Sequence, residues 1–326
     1  MVTVNDSATG QSYTYDASKP ISTSDDGLAF YQSQLAVVES KIYETKYRNI
    51  VYEALIPIDA SMPEYVDSVE TIYYDAVTMG KFIGANAKDL PESTISAGKF
   101  STPVFYGGNS YSYSLDELRK SQQLRMPLDA TKGRMSYRGF QEHAQRVAFF
   151  GDADRGITGL FNNANVSLDN ASVDWGAASG DELQAMINGV LINVWEDSAE
   201  VHVPNTLLLP SDLFAHISSK KMDSGTDTTV LQYIKMNNLY KELTGGELNI
   251  VPKSELKTAG TTAGYPGRIM AYELNEDNLY MPMPMMWRSL PPQPEGLAVV
   301  IPAEYKFGGV AFRYPGAAAY RDVNRA

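Results

Sequence analysis

Two segments of this chain are too extended to fold back into a compact domain. Val69 to Ala85 (VETIYYDAVTMGKFIGA) and Lys99 to Ser114 (KFSTPVFYGGNSYSYS) are dense in β-branched and aromatic residues, which fit a pleated strand. The polar stretch Asn86 to Gly98 links them, and the three together read as two antiparallel arms of one hairpin-like loop. At the strand rise, fifteen residues reach about 50 Å, too far to be buried within a single domain. A two-stranded ribbon is marginal in water on its own. It therefore needs something to lie on, and the simplest support is another copy of the chain.

Composition narrows what the rest can be. At 326 residues the chain can bury a sizeable core, as one large or two modest domains. The absence of cysteine removes disulfides, thiolate metal sites and cysteine nucleophiles together, and fits folding in a reducing cytoplasm. A net charge of −12 repels polyanions, which argues against specific nucleic-acid binding but not against a face that merely lies near nucleic acid. No apolar run approaches the length needed to cross a membrane. The N-terminal MVTVNDSATGQSYTYDASKP has neither a basic start nor an apolar segment, so no secretory signal is expected there. Asn5, Asn165 and Asn170 open glycosylation-type triplets, which without such a signal read as chance.

In chain order, residues 1 to about 24 read as a mobile or partner-ordered arm. From Asp25 a helix is predicted, because Leu28, Tyr31, Leu35, Val38 and Ile42 recur at three and four; its narrow stripe suits docking on a neighbour or covering the core equally well. Ile50 to Ile58 is a strand candidate closed by Pro57 and Pro63. Ser114 and Glu117 form a capping box opening a short helix that stops before Pro127.

A long helix is predicted over 129–150. Pro127 cannot continue a preceding helix, Asp129 can accept from the free amides of a first turn, and Gly151 can end the helix in the left-handed conformation. Tyr137, Phe140, Ala144 and Val147 make one apolar stripe, read as core packing. Gly133 and Gly139 each cost about 1 kcal/mol in a helix interior, tolerable where another backbone packs closely.

A second capping box, Ser179 with Glu182, opens an amphipathic helix carrying Leu183, Met186, Ile187, Val190, Leu191 and Val194. Then follow a strand at Thr206 to Leu209, a helix capped by Ser211 and running to about Met222, a helix from Thr229 to Leu243 ended by Gly245-Gly246, and strands at Leu248 to Val251 and Arg268 to Leu274. Strands alternating with helices indicate an α/β unit. Met281 to Trp287 reads as irregular and apolar, serving as adaptable contact surface or core filling. Pro291-Pro292-Gln293-Pro294 reads as a rigid connector. Leu297 to Tyr305 and Phe307 to Tyr314 read as two strands with a hairpin or bulge at Gly308-Gly309.

The search for chemistry returns little. His143, His202 and His216 share no ligand spacing. Asp152, Asp154 and Gly156 fail the calcium-loop pattern, with Ile157 at the glycine position and Asn163 at the glutamate position. There is no nucleophile elbow and no phosphate-binding loop. No catalytic residue, metal or cofactor is expected.

The order of these parts resembles the major capsid proteins of tailed bacteriophages, of the Hong Kong 97 type, over nearly the whole chain. The residues that carry the resemblance are Leu55-Ile56-Pro57-Ile58-Asp59, Ala87-Lys88-Asp89-Leu90-Pro91, Tyr113-Ser114-Leu115-Asp116-Glu117-Leu118-Arg119, the helix exit Phe150 to Leu160, and the closing run Phe307 to Pro315. The resemblance implies an α+β fold with an N-terminal arm and helix (1–49), a first peripheral part (50–65), an extended loop (66–114), a peripheral domain with a spine helix (115–178), an axial domain (179–290) and a return to the peripheral domain (291–326). It also implies hexamers and pentamers closing into an icosahedral shell around DNA contacted non-specifically. Such a shell forms in the bacterial host cytoplasm, without a membrane, and works with separate scaffolding, portal and decoration proteins.

The subunit interface expected on this basis comprises Tyr73, Lys81, Phe82, Lys88, Asp89, Lys99, Phe100 and Phe105 on the loop, and Leu28, Tyr31 and Leu35 on the arm helix. Some family members weld the shell by an isopeptide bond between a loop lysine and a neighbour's asparagine; no residue is assigned that role here. Two other readings stand beside this one: an encapsulin-like nanocompartment shell enclosing cargo proteins, and an α/β enzyme with a long dimerisation ribbon.

Overall fold

The computed structural model describes residues 2–5, 12–15, 49–77, 94–114, 116–117, 128–171, 173–223 and 225–324. The chain divides into two units, residues 1–49 and 50–326. In the first, β1 (Val2–Asn5) and β2 (Ser12–Tyr15) pair antiparallel, a hairpin where the sequence reads as an arm without regular structure. The arm helix expected from Asp25, with Leu28, Tyr31 and Leu35, lies outside the described residues.

The second unit opens with a correction. Ile50 to Ile58 is not one strand: Tyr52–Leu55 forms a short helix, α1, followed by the two-residue strand β3 (Ile58–Asp59). Tyr52 and Leu55, three apart, are buried while Glu53 and Ala54 are exposed, so an apolar run that suits either period settles as helix.

Next come β4 (Ser68–Val77) and β5 (Thr94–Ser114). β5 is 21 residues long and divides its pairing. Residues 94–103 pair antiparallel with β4, and residues 104–114 pair antiparallel with a late strand, β13 (Ala298–Gly308). The handover falls at Pro103 and Val104. The segment expected as one free loop over 66–114 is thus anchored in its own chain from Val104 onward. The capping box forms, with the Glu117 amide donating to Ser114 Oγ at 3.1 Å.

The long helix, α2, spans Leu128–Phe150. Phe140, Ala144 and Val147 are buried as the stripe predicts, but Tyr137 sits at its edge, 42% exposed, against the rings of Phe140 and Trp287. Gly151 takes φ +69° and ends the helix. The chain then doubles back, and the amides of Leu160 and Phe161 donate to the carbonyls of Ala148 and Phe149 at 2.8 and 3.0 Å. Carbonyls that a helix end leaves unpaired are satisfied by its own exit loop.

The rest is organised on a five-stranded sheet in the order β6 (Ser167–Asn170), β15 (Ala318–Val323), β9 (Gly267–Tyr272), β7 (Thr206–Pro210), β8 (Asn249–Lys253). Its three central strands, β15, β9 and β7, are buried on both faces, and alternation sorts their side chains into two cores. Leu207, Leu209, Ile269, Ala271 and Ala319 join Leu183, Ile187 and Leu191 of α3 (Gly180–Asp197) on one face. Leu208, Met270, Tyr272, Ala318 and Tyr320 join Phe140, Ala144 and Val147 of α2 on the other. Two buried tyrosines tie the second face down: the Tyr272 hydroxyl donates to the Leu55 carbonyl at 2.8 Å, and the Tyr320 hydroxyl to the Leu160 carbonyl at 2.5 Å.

Within this sheet lies an ion pair with both partners buried, Arg268 on β9 and Asp322 on β15. The guanidinium donates twice to the carboxylate, at 2.7 and 3.1 Å, and once to the Phe161 carbonyl at 2.6 Å. Asp322 also accepts from the Thr261 and Thr262 amides, each at 3.0 Å. A buried charge is tolerable only with its lone pairs satisfied in this way.

Several further expectations are corrected. Pro210, not Ser211, stands at the N-cap of α4 (Ser211–Ser219), which stops short of Met222. The helix expected from Thr229 to Leu243 is two, α5 (Val230–Met236) and α6 (Leu239–Thr244). They break where buried Asn238 caps the second, accepting from the Lys241 amide at 2.9 Å while donating to the Ile234 carbonyl at 3.0 Å. Met281 to Trp287 is not irregular: it contributes to β10 (Leu279–Pro282) and β11 (Met285–Ser289). The proline connector includes β12 (Gln293–Glu295), paired with β13. β13 and β14 (Ala311–Phe312) do not form a hairpin, since β14 pairs with β10. The last strand, β15, not expected from the sequence, joins the sheet of β7 and β9.

Burial alone would raise the Asp322 carboxyl, but the hydrogen bonds from Arg268 and Thr262 hold it below the ordinary carboxylate range. A depressed carboxyl stabilises the fold fully above its unfolded value, about pH 3.9, and that stability is lost as pH falls through the folded value. Asp322→Ala should lower stability at pH 7 by about 3–5 kcal/mol, by leaving Arg268 unpaired. Urea denaturation at pH 7 and pH 3 checks both points, with a smaller acid loss in the variant than in the parent.

Candidate functional site

The ribbon of β4 and β5 is the feature that projects. Ser68 pairs with Pro103, and the register continues to Val77 with Thr94. Among the described residues, β4 pairs with β5 alone. Ile72, Tyr73 and Tyr74 are 60%, 53% and 72% exposed. Successive strand residues point to opposite sides, so both faces of the ribbon present large apolar groups.

The predicted interface residues separate into three sets. Tyr73, Lys99 and Phe100 lie on the ribbon; Lys99 is paired with Glu70 at 3.0 Å, both exposed. Phe105 lies past the handover, half-buried against the core with the Arg155 guanidinium 5.7 Å from its ring centre. It belongs to the body. Lys81, Phe82, Lys88 and Asp89 fall outside the described residues. On one side the ribbon overhangs a groove of about 570 Å³, with Tyr74 and Phe100 facing Phe312 and Tyr314 of the body.

Ion pairs fasten the ribbon's root. Asp67, just before β4, accepts from Lys306 of β13 at 2.7 Å. Glu64 accepts from Arg288 of β11 at 3.0 Å, and Arg288 also donates to Glu304 at 2.7 Å. The Tyr106 hydroxyl donates to Glu304 at 2.5 Å. That hydrogen bond raises the Tyr106 phenol and, with Arg288, holds the Glu304 carboxyl low. The sequence reading missed these five charged residues, because Glu64 to Arg288 and Asp67 to Lys306 span 224 and 239 positions. Asn109 ties sheet to helix, donating to the Ser136 carbonyl at 2.7 Å and accepting from the Trp287 indole at 3.1 Å.

Glycines admit two tyrosine rings across strand pairs. A Cβ on Gly98 would stand 2.2 Å from the ring of Tyr73, its partner on β4, and one on Gly107 would stand 2.4 Å from the ring of Tyr305, its partner on β13. Tyr73 has solvent to move into. Tyr305 is held by Phe140, Phe307 and His143.

The histidines are packing residues on separate elements. His143 Nδ1 lies 2.9 Å from the Tyr305 hydroxyl, and burial, then Arg146 and Arg155, lower its pKa. His202 meets Glu273 at 2.7 Å, and His216 stacks edge-on against Trp175. Among the described residues no group of three or more histidines or carboxylates could hold a metal ion, and no helix is long and apolar enough to cross a membrane.

Comparison with known proteins follows from this geometry. Residues 79–323 match the model of a family described as major capsid protein. No curated protein sequence matches the chain. Among solved structures, the chain is similar to the capsid of Myoviridae phage XM1, at 17% identity and a TM-score of 0.76, covering 89% of this chain and 97% of that one. It is similar to the capsid of an empty GTA particle, at 14% identity and a TM-score of 0.60, covering 91% and 98%. A structure from Mycobacterium phage Ogopogo matches at 15% identity and a TM-score of 0.56, covering 90% and 98%. At such identities the likeness shows a shared fold.

The two glycine contacts predict unequal penalties. Gly107→Ala should cost about 1–3 kcal/mol, as overpacking does in a filled core, while Gly98→Ala should swing Tyr73 outward with little change in the urea midpoint. Equal midpoints for the two variants would contradict this account of the ribbon's packing.

Proposed function

The chain belongs to the major capsid protein family, and from that premise we propose that its ribbon is the part of the subunit that lies over a neighbouring copy. The protein is a structural, non-enzymatic subunit of a tailed-phage capsid, with the Hong Kong 97-type fold, and its place is the virion. Family membership displaces the reading as an enzyme with a dimerisation ribbon. It also favours a virus shell over a nanocompartment for protein cargo.

The observation that carries the ribbon's role is its exposed apolar surface. Full burial of a large apolar side chain is worth about 1.5–3 kcal/mol, and Ile72, Tyr73 and Tyr74 stand exposed together on a strand that, among the described residues, has one partner. A second copy laid against the ribbon would bury them and supply the support an isolated ribbon lacks. Tyr73, Lys99 and Phe100 are therefore proposed as interface residues, and Lys81, Phe82, Lys88 and Asp89 are proposed with them on the strength of the family membership. Leu28, Tyr31 and Leu35 are proposed as a second contact, and Phe105 as a support within the subunit.

The assembly is proposed to consist of hexamers and pentamers in an icosahedral shell, formed in the bacterial host cytoplasm with separate scaffolding, portal and decoration proteins. The division into arm, extended loop, peripheral and axial domains belongs to the same proposal. With a net charge of −12, the subunit's contact with packaged DNA is non-specific.

Val77 and Thr94 are paired at the outer end of the described ribbon, so an Asn-Gly turn can close it in place of residues 78–93. The variant should fold, with unchanged circular dichroism in its body, yet fail to give shells of normal size by sedimentation and negative-stain microscopy. Normal particles from it would contradict the ribbon's role.

A further inference from the structure

We propose that Asp67 and Lys306, with Glu64 and Arg288 beside them, are positioning residues that set the angle between ribbon and sheet through an electrostatic latch. The inference begins at the handover on β5. No residue of β5 lies in both registers: β13 ends its pairing at Val104 and β4 begins at Pro103. At the seam the Val104 amide donates to the Asp67 carbonyl at 2.9 Å, and Pro103 has no N–H to donate. Two-stranded ribbons twist more freely than wider sheets, so a ribbon leaving a sheet along one shared strand needs restraint at its root.

That restraint comes from side chains. The approach to β4 is an irregular segment in which Glu64, Tyr65 and Asp67 are exposed. Two of its carboxylates reach the sheet three residues apart, Glu64 to β11 and Asp67 to β13. Two attachment points on different strands fix rotation as well as position.

The two links differ in strength. Arg288 is half exposed, so its pair with Glu64 is screened and worth little alone. The Lys306 side chain is 8% exposed while the Asp67 side chain is 91% exposed. If the ribbon swings and carries Asp67 away, a buried ammonium loses its carboxylate, and stranding a buried charge is strongly unfavourable. The latch thus favours one ribbon angle, with the buried lysine as its fixed half and the exposed aspartate as its moving half. Its importance for assembly rests on the reading that the ribbon meets a neighbour; the latch itself can be tested on unassembled chains.

The chain contains no cysteine, so two introduced cysteines carry nitroxide labels without competition. Tyr74→Cys on the ribbon and Ser112→Cys on the sheet-bound half of β5 are exposed positions. Tyr74 pairs with Ala97, so the label separation is about 50 Å at the strand rise. Double electron–electron resonance on the full chain should give a narrow distance distribution. Asp67→Asn and Lys306→Met should each broaden it about twofold, as for a released hinge, and Asp67→Glu should keep it narrow.

An unchanged width in Asp67→Asn, or equal broadening by Asp67→Glu, would overturn the proposal. So would a broad distribution in the labelled parent. Asp67 is exposed, so Asp67→Asn carries the test even if Lys306→Met fails to fold. An unmoved ribbon angle would refute the latch and leave the ribbon's role in the shell standing, since the short-ribbon variant tests that separately.

Discussion

A strand of 21 residues is longer than any one partner in this subunit can cover, and the structure follows from how β5 divides itself. Its last eleven residues, 104–114, take β13 as a partner and become part of a sheet that packs on the long helix. Its first ten, 94–103, take only β4 among the described residues. The division makes one half of the strand a foundation and the other a projection. The same hydrogen-bonded backbone runs through both, so the projection starts from a rigid base. Exposed aromatic groups on the ribbon are then available surface held at a defined place.

The foundation shares the long helix with a second sheet, that of β6, β15, β9, β7 and β8, whose three central strands are buried on both faces. Alternation along TLLLP and GRIMAY sends neighbouring side chains to opposite cores, so a one-residue slip in register would exchange the two. Arg268 and Asp322 hold that register across β9 and β15 and reach the exit loop of the long helix through the Phe161 carbonyl. Replacing such a pair with apolar residues is often neutral for stability. Its use here is geometric: it fixes one arrangement of sheet, loop and helix exit, and a shell subunit must present its surfaces in one arrangement.

Much of this was legible in the sequence wherever the signal is local. The stripes of the long helix and of α3, the two capping boxes and the glycine that stops the long helix all act within a few residues, and all are found. The density of β-branched and aromatic residues announced strands in both arms, but the second begins at Thr94, inside the stretch read as a linker, and leaves the ribbon at Val104. What escaped was set at long range or by conflicting local cues. IVYEALIPI satisfies two periods, and burial of Tyr52 and Leu55 chose the helix. AAYRDV was not read as a strand because Arg321 and Asp322 look like surface residues, yet Asp322 is buried against Arg268. At the candidate site, the family resemblance supplied Tyr73, Lys99 and Phe100, and the structure places all three on the ribbon. Glu64 and Asp67 at the ribbon's root gave no signal, because their partners Arg288 and Lys306 lie 224 and 239 positions away.

The central claim is that the ribbon serves a neighbouring copy, and particles assembled from a mixture of ordinary and nitrogen-15-labelled chains test it directly. Lysine-reactive crosslinking followed by mass spectrometry reports whether Lys99, exposed on the ribbon, joins its own chain or another. The account predicts that, in an equal mixture, Lys99 crosslinks to body residues include mixed-isotope pairs at about the one-half share that random pairing of chains gives. Crosslinks from Lys99 that stay within one isotope would place the ribbon on its own subunit and contradict the account.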